Sequence, residues 1–460
     1  MFNSHVFRQI YVTLIASFSI FISGMWLGWP SSVVEKFIKH ETDFNVNIDQ
    51  LSWIVAMMDL GNIVSPLFAG YMMDTIGRKT SNVILGPLFI VAWLLAIYVP
   101  TPWALYTARL MAGLGKGISY TVVPIFVGEI ASVKIRGALS TSFCVQLHLG
   151  FLFEAIVGPL VSYKTLNVVS ATMPVLFFLV AVWIPESPYY LLKKNRPLEA
   201  AKCLQWFRHE DNIQAELQQM EVNMKNDTQN QSSVREMFSS RKNLRALGIV
   251  VVTCASQRAG GISCIYAYSS LILPDPAPVI GKSEYIMLFA TLLVIVNFVG
   301  LALVDQVGRK PLLIFSQTGL GVICLLFALY FYANEHNDDV QIQYTWFPYL
   351  CHVLFSIIFA IGVGFMPVVF LGEMFPVNVR SYCSAIASIT LSVCSFVTNK
   401  IFLLISRYYG YQIMFYVFAI INFASALYSY RYVIETKGKT FLEIQNFLEE
   451  IVNFTKSEKI

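Results

Sequence analysis

The residues of this chain best suited to chemistry fall into two matched sets of acids and bases. Asp74-Thr75-Ile76-Gly77-Arg78-Lys79 and Asp305-Gln306-Val307-Gly308-Arg309-Lys310 repeat the pattern Asp-x-x-Gly-Arg-Lys. Each set continues in the same order. Gly128-Glu129 is followed seven residues after the glutamate by Arg136, and Gly372-Glu373 is followed at the same spacing by Arg380. Glu186 in Pro-Glu-Ser and Glu435 in Ile-Glu-Thr complete the two sets. Guanidinium groups pair with carboxylates through two parallel hydrogen bonds, and Gly77 and Gly308 let the chain turn sharply. The chemistry on offer is therefore reversible ion pairing, a gating network rather than a catalytic centre. Each exposed pair contributes about 0.2–1 kcal/mol, so several together bias a two-state switch without locking it.

A single Asp-x-x-Gly-Arg-Lys loop says little, because basic loops arise from the positive-inside bias of membrane proteins. Three features recurring in order in two places indicate an internal repeat, and paired repeats around a central site are a transporter architecture. Other charges lie inside apolar runs: Asp59, Glu154 and Arg258. Each costs about 2.5–3.5 kcal/mol at the centre of a bilayer and so requires a partner or a task. Arg109, near the end of its run, reads as structural.

The elements that must hold these groups follow from hydropathy. The 460 residues are 56% hydrophobic and 13% charged, and the mean hydropathy is +0.61. A soluble domain carries about 25% charged residues, so this is an all-α membrane protein. A span needs about 20 apolar residues. Such runs lie at 10–29, 51–72, 82–100, 104–127, 138–162, 168–185, 245–272, 285–304, 311–332, 346–371, 382–405 and 412–433, which makes twelve transmembrane helices. The expected organisation is an N-terminal six-helix bundle (1–185), a cytoplasmic helical linker (186–244), a C-terminal six-helix bundle (245–434) and a cytoplasmic tail (435–460). Lys and Arg crowd the loops holding Arg78, Lys79, Lys134, Arg136, Arg309, Lys310 and Arg380, which puts both termini in the cytoplasm. The sequons at Asn226, Asn230 and Asn453 then face the cytoplasm and stay unglycosylated. The first apolar run lacks a small-x-small cleavage site and reads as a retained helix. The eight cysteines lie mostly in apolar runs and read as packing residues, with no metal site. No Walker-type loop or metal cluster supports an enzyme or a cofactor.

Together these motifs resemble the sugar-porter branch of the major facilitator superfamily, and within it the insect facilitated trehalose transporters. The resemblance adds Arg109-Leu-Met-Ala-Gly-Leu-Gly-Lys-Gly, Arg136-Gly137-Ala138-Leu139, Pro185-Glu186-Ser187-Pro188, Gly372-Glu373-Met374-Phe375-Pro376 and Glu435-Thr436-Lys437-Gly438-Lys439-Thr440. It implies the major facilitator fold, two pseudo-symmetric bundles with the solute between them. It also implies facilitated diffusion of a small neutral sugar (trehalose or glucose-like) through a multi-pass protein of the cell membrane, whose partners are that sugar and the lipid bilayer and not nucleic acid. The family pattern Q-Q-x-S-G-x-N reads here Gln257-Arg258-Ala259-Gly260-Gly261-Ile262-Ser263. Cys144 stands at the helix 5 glutamine position, Leu293 at the helix 8 asparagine and Val368 at the helix 10 tryptophan. Gln257, Arg258, Ser263, Tyr266, Tyr268, Asn297, Gln146 and Glu154 remain as candidates for solute binding. Each is equally suited to hydrogen bonding between helices. Arg258 and Glu154 are read either as an ion pair, as solute contacts, or as groups paired within their own bundles. Three further readings stay open: a proton symporter, for which Glu154 would serve although helix 1 lacks an acid; a carrier of a polyol or organic anion; and a non-transporting sugar sensor.

Overall fold

The computed structural model describes residues 4–132, 135, 139, 142–208, 213–229, 238, 240–336, 344–375, 377–439, 443–444 and 446–448. Among these residues there is no strand, and twelve helices are long and apolar enough to cross a membrane. They are α1 Val6–Ile38, α2 Ile48–Ile76, α3 Arg78–Tyr98, α4 Pro102–Ile130, α5 Ser142–Leu160, α6 Tyr163–Ala181, α7 Arg241–Ile272, α8 Lys282–Val307, α9 Arg309–His336, α10 Trp346–Met374, α11 Tyr382–Tyr409 and α12 Tyr411–Tyr432. Every expected span is present. The boundaries differ where polar residues start a helix that hydropathy starts later. The Ser162 hydroxyl accepts the Thr165 N–H, so α6 begins at Tyr163 and includes Lys164 and Asn167.

The helices divide into two compact units. The first holds α1 as far as Trp29, α2 from Met57, α3 to α6, and the linker as far as the helix Gln214–Gln229. The second holds α7 to α12 together with Pro30–Ile38 and Val46–Ala56, the adjoining ends of α1 and α2. Packing within the units repeats. In the first, α3 packs on α4 and α6; in the second, α9 packs on α10 and α12. That is the neighbour pattern of an internal duplication.

Close approach requires small residues, as membrane helices generally do. Gly61 on α2 and Gly113 on α4 face each other: a Cβ on Gly113 would collide with the Met58 carbonyl, and one on Gly61 with the Leu110 carbonyl. Gly113→Leu should therefore force the two helices apart at a cost of about 1–3 kcal/mol or more. A clear fall in the melting temperature of the purified protein would report it, and an unchanged value would show that this contact is not tight.

The linker helices dock on the first unit. Arg8 donates to the Trp206 carbonyl (2.8 Å), Gln9 donates to the Phe207 carbonyl (3.2 Å) and accepts the Ser132 N–H (2.8 Å). Arg208 caps the last turn of α4 by donating to the Ile130 carbonyl at 2.9 Å and pairs with Glu216 at 2.7 Å. Cys203, in the linker helix Pro197–Arg208, donates to the Glu186 carbonyl at 2.9 Å. Burial and then the Glu186 charge push its thiol up to about 12, so it remains a protonated packing group.

Candidate functional site

Two clusters of charge sit where α2 turns into α3 and where α8 turns into α9. Gly77 (φ 98°) and Gly308 (φ 109°) make those turns in a region that disfavours side chains. A Cβ at either would also meet a carboxylate, that of Glu186 or that of Glu435. Each turn starts a helix whose first N–H groups have no intrahelical acceptor. Glu186 Oε1 accepts the N–H groups of Arg78 and Lys79, both at 3.0 Å. Glu435 takes the matching pair with one oxygen each: Oε1 accepts the Arg309 N–H and Oε2 the Lys310 N–H, both at 3.0 Å. A carboxylate at a helix N-terminus is favoured by charge as well as by geometry.

The arginine side chains then reach back to the end of a third helix. Arg78 grips Glu129 through Nε (2.9 and 3.1 Å) and Nη2 (2.8 Å), and Arg309 grips Glu373 through Nε (3.1 Å) and Nη2 (2.9 Å). Each arginine also donates to the carbonyl five residues before it, Met73 at 3.2 Å and Val304 at 3.1 Å. Asp74 and Asp305 flank the same guanidinium groups at 3.8 and 2.9 Å, and Lys193 pairs with Asp74 at 2.8 Å. The second oxygen of Glu129 accepts the Ser187 hydroxyl, and that of Glu373 accepts the Thr436 hydroxyl at 2.5 Å. The arginine, glutamate and hydroxyl groups of the two clusters thus match, while Lys193 is particular to the first.

Two points go beyond the sequence reading. The hydroxyl partners Ser187 and Thr436 were not among the expected residues, although a hydroxyl follows the glutamate in both Pro-Glu-Ser and Ile-Glu-Thr. The arginine pairs are also largely buried rather than exposed, so removing one partner costs more than it would at the surface. Arg136 and the Arg380 side chain lie outside the described residues. Every contact above closes within one unit.

The candidates for solute binding separate into groups. Gln257, Arg258, Ser263, Tyr266 and Tyr268 surround a break in α7, where Arg258–Ile262 forms one wide helical turn. Ser263, Tyr266 and Tyr268 are buried and Arg258 is half-buried. Gln257 donates to the carbonyls of Val363 and Gly364. The Tyr268 hydroxyl donates to the Asn399 carbonyl (3.0 Å), and the Tyr266 ring meets Phe289 edge-on. Asn297 on α8 donates to Leu293 of its own helix at 2.9 Å. Gln146 and Glu154 lie on α5 in the first unit: Gln146 is half-buried, and Glu154 is buried and accepts the Ser170 hydroxyl at 2.6 Å.

The remaining intramembrane charges find local partners. Asp59 lies 3.9 Å from Lys116 of α4, which composition alone had not singled out. Arg109 donates to the Trp26 carbonyl and lies over the rings of Trp26 and Trp29 (6.0 and 5.8 Å), and Trp29 donates to Asn167 (2.8 Å). Its structural reading fits that environment.

A second charged site was not anticipated. The ammonium group of Lys400 on α11 lies 2.6 Å from Asp49 Oδ1, 2.8 Å from Ser52 Oγ and 4.4 Å from the centroid of Trp53. Asp49, Ser52 and Trp53 share one face of α2 at i, i+3 and i+4. Trp53 also packs on Phe396, one turn before Lys400. The second unit thus holds the end of α2 by a three-part cage around one cation.

The family model described as "Sugar (and other) transporter" matches residues 10–448. The facilitated trehalose transporter Tret1 of Bombyx mori is 26% identical over 443 residues, covering 95% of this chain and 86% of that protein. Tret1 of Polypedilum vanderplanki is 26% identical over 444 residues, covering 95% and 88%. Among solved structures, the inward-open conformation of the xylose transporter XylE from E. coli aligns with a TM-score of 0.79 at 18% identity, covering 95% of this chain and 99% of that one. A partially occluded inward-open form of XylE aligns with a TM-score of 0.77 at 20% identity, covering 95% and 100%. These structures share the fold of this chain.

Proposed function

The chain belongs to the sugar (and other) transporter family, as a multi-pass membrane carrier and not an enzyme, and on that footing we propose that it carries trehalose or a glucose-like sugar by facilitated diffusion. The observation that carries the reading is the near end-to-end similarity to facilitated trehalose transporters of two insects. The mechanism is alternating access, in which the solute site faces one side of the membrane and then the other. The clusters around Arg78 and Arg309 keep each bundle rigid at the loop ends while it moves. The Lys400 cage with Asp49, Ser52 and Trp53 pins the start of α2 to α11 within the second unit.

The solute site in this proposal draws on Gln257, Ser263, Tyr266, Tyr268 and Asn297, with Gln146, Glu154 and Arg258 as further contacts. A sugar presents hydroxyls that both donate and accept, which amide and hydroxyl side chains match. We place the protein in the cell membrane with both termini cytoplasmic, following the Lys and Arg bias of its loops. A glycan on Asn226 would reverse that orientation.

Uptake into proteoliposomes tests the reading. Labelled trehalose or glucose should enter, and the rate should be unchanged when an ionophore dissipates a proton gradient. Uptake that collapses with the gradient would make the protein a symporter, for which the buried Glu154 carboxyl is the group to test. Entry of an organic anion or a polyol alone would point to a different solute. Sugar binding without entry would point to a sensor.

A further inference from the structure

Helix α10 is broken in its middle. Regular helix stops at Ile361 and resumes at Met366, with Gly362 (φ −137°, ψ −84°) and Phe365 (φ −125°, ψ −13°) between. Pro367 has no N–H, so the Val363 carbonyl four residues earlier has no helical donor. The Val368 N–H turns to Phe365 (3.1 Å), which leaves the Gly364 carbonyl without its helical donor as well. Non-helical backbone at membrane depth persists only where protein groups satisfy it. Gln257 Nε2 lies 2.8 Å from the Val363 carbonyl and 2.8 Å from the Gly364 carbonyl, so both its amide protons go to these two orphans. From the other side, Ser316 Oγ accepts the Val363 N–H at 3.1 Å and donates to the Ile358 carbonyl at 2.7 Å.

Helix α7 is broken as well, immediately after Gln257. Gly261 adopts φ 111°, and the Gly260 carbonyl is taken by Asn422 of α12 at 2.9 Å. Gln257 therefore ends the regular part of one broken helix while filling the gap in another.

We infer that Gln257 is a positioning residue that ties the two breaks together, so that α7 and α10 bend as one hinge. The inference uses the transport reading only to say what the hinge serves. Because the tie consumes both amide protons, Gln257 meets a sugar only through Oε1, as an acceptor for a hydroxyl.

Hydrogen exchange of the purified full-length protein, measured without sugar, tests the tie directly. In Gln257→Leu the amides of residues 362–369 should exchange about tenfold faster than in the wild type, with those of α9 unchanged. Adding Pro367→Ala supplies an N–H for the Val363 carbonyl and should recover part of the protection. If the leucine variant does not purify, Gln257→Met keeps nearly the length, donates nothing, and is read the same way. In proteoliposomes, glucose turnover should fall about tenfold or more, because the leucine removes both the tie and the Oε1 acceptor for a sugar hydroxyl. Unchanged exchange at 362–369 overturns the tie, and combined with weakened glucose binding it makes Gln257 a solute ligand alone. Since exchange is read without sugar, a protein that carried no glucose would still decide the question.

Discussion

Arg78→Ala should nearly abolish transport and destabilise the protein by about 3–5 kcal/mol, the cost of removing one partner from a buried ion pair. The variant strips Glu129 of its bidentate partner and leaves the Met73 carbonyl without its donor. Arg78→Lys should recover little, because an ammonium group cannot hold Glu129 through a planar fork while also reaching Met73. The duplicated cluster supplies an internal comparison. Side-chain exposure is 7% for Arg78 and 14% for Glu129, but 13% for Arg309 and 27% for Glu373. Arg309→Ala should therefore have the same direction and a smaller size. Melting temperature and uptake rate, measured for both variants, check the order. Wild-type values for both, or a larger loss at Arg309, would mean that these clusters do not brace the bundles.

The second large effect is expected at Lys400. Lys400→Met removes an ion pair, a hydrogen bond to Ser52 and a cation–π contact in one step. The Asp49 side chain is 62% exposed, so solvent screens the ion pair and it contributes at most about 1 kcal/mol. The ring contact adds about 0.5–2 kcal/mol. Together they stabilise the tie between α2 and α11 by about 0.5–3 kcal/mol, a factor of about two to a hundred, since 1.4 kcal/mol is a factor of ten. The maximal rate of uptake should change accordingly, with the Asp49→Asn variant moving the same way by less. The reversed pair, Lys400→Asp with Asp49→Lys, should restore only part of the effect. It rebuilds the ion pair, but puts a carboxylate where the electron-rich face of Trp53 favours a cation. Full restoration would deny the ring a role, and no restoration would deny the ion pair one.

Much of this architecture was legible in the sequence, for a physical reason. A membrane forces each span to declare itself in about 20 apolar residues, and duplication printed the charged clusters twice. Arg78, Glu129 and Glu186 could be matched to Arg309, Glu373 and Glu435 before any coordinates, and the structure gives the two sets the same bonds. Partners set by three-dimensional packing were not legible. Lys400 and Asp49 are 351 residues apart; the lysine stands out inside its apolar run, but nothing local names its partner. Gln257 was read as a solute ligand because of its motif. Its other task depends on Pro367, whose missing N–H creates the need for a donor from another helix. The same holds for Glu154, whose bond to Ser170 joins two neighbouring helices that no motif connects.

Whether the protein carries a neutral sugar by alternating access is decided by counterflow in proteoliposomes. Vesicles loaded with unlabelled sugar are diluted into a trace of the labelled sugar, first with trehalose and then with glucose. Label should accumulate transiently above its external concentration for at least one of the two, with no proton gradient present. An absence of overshoot with both sugars, from protein that is folded and inserted, would contradict it.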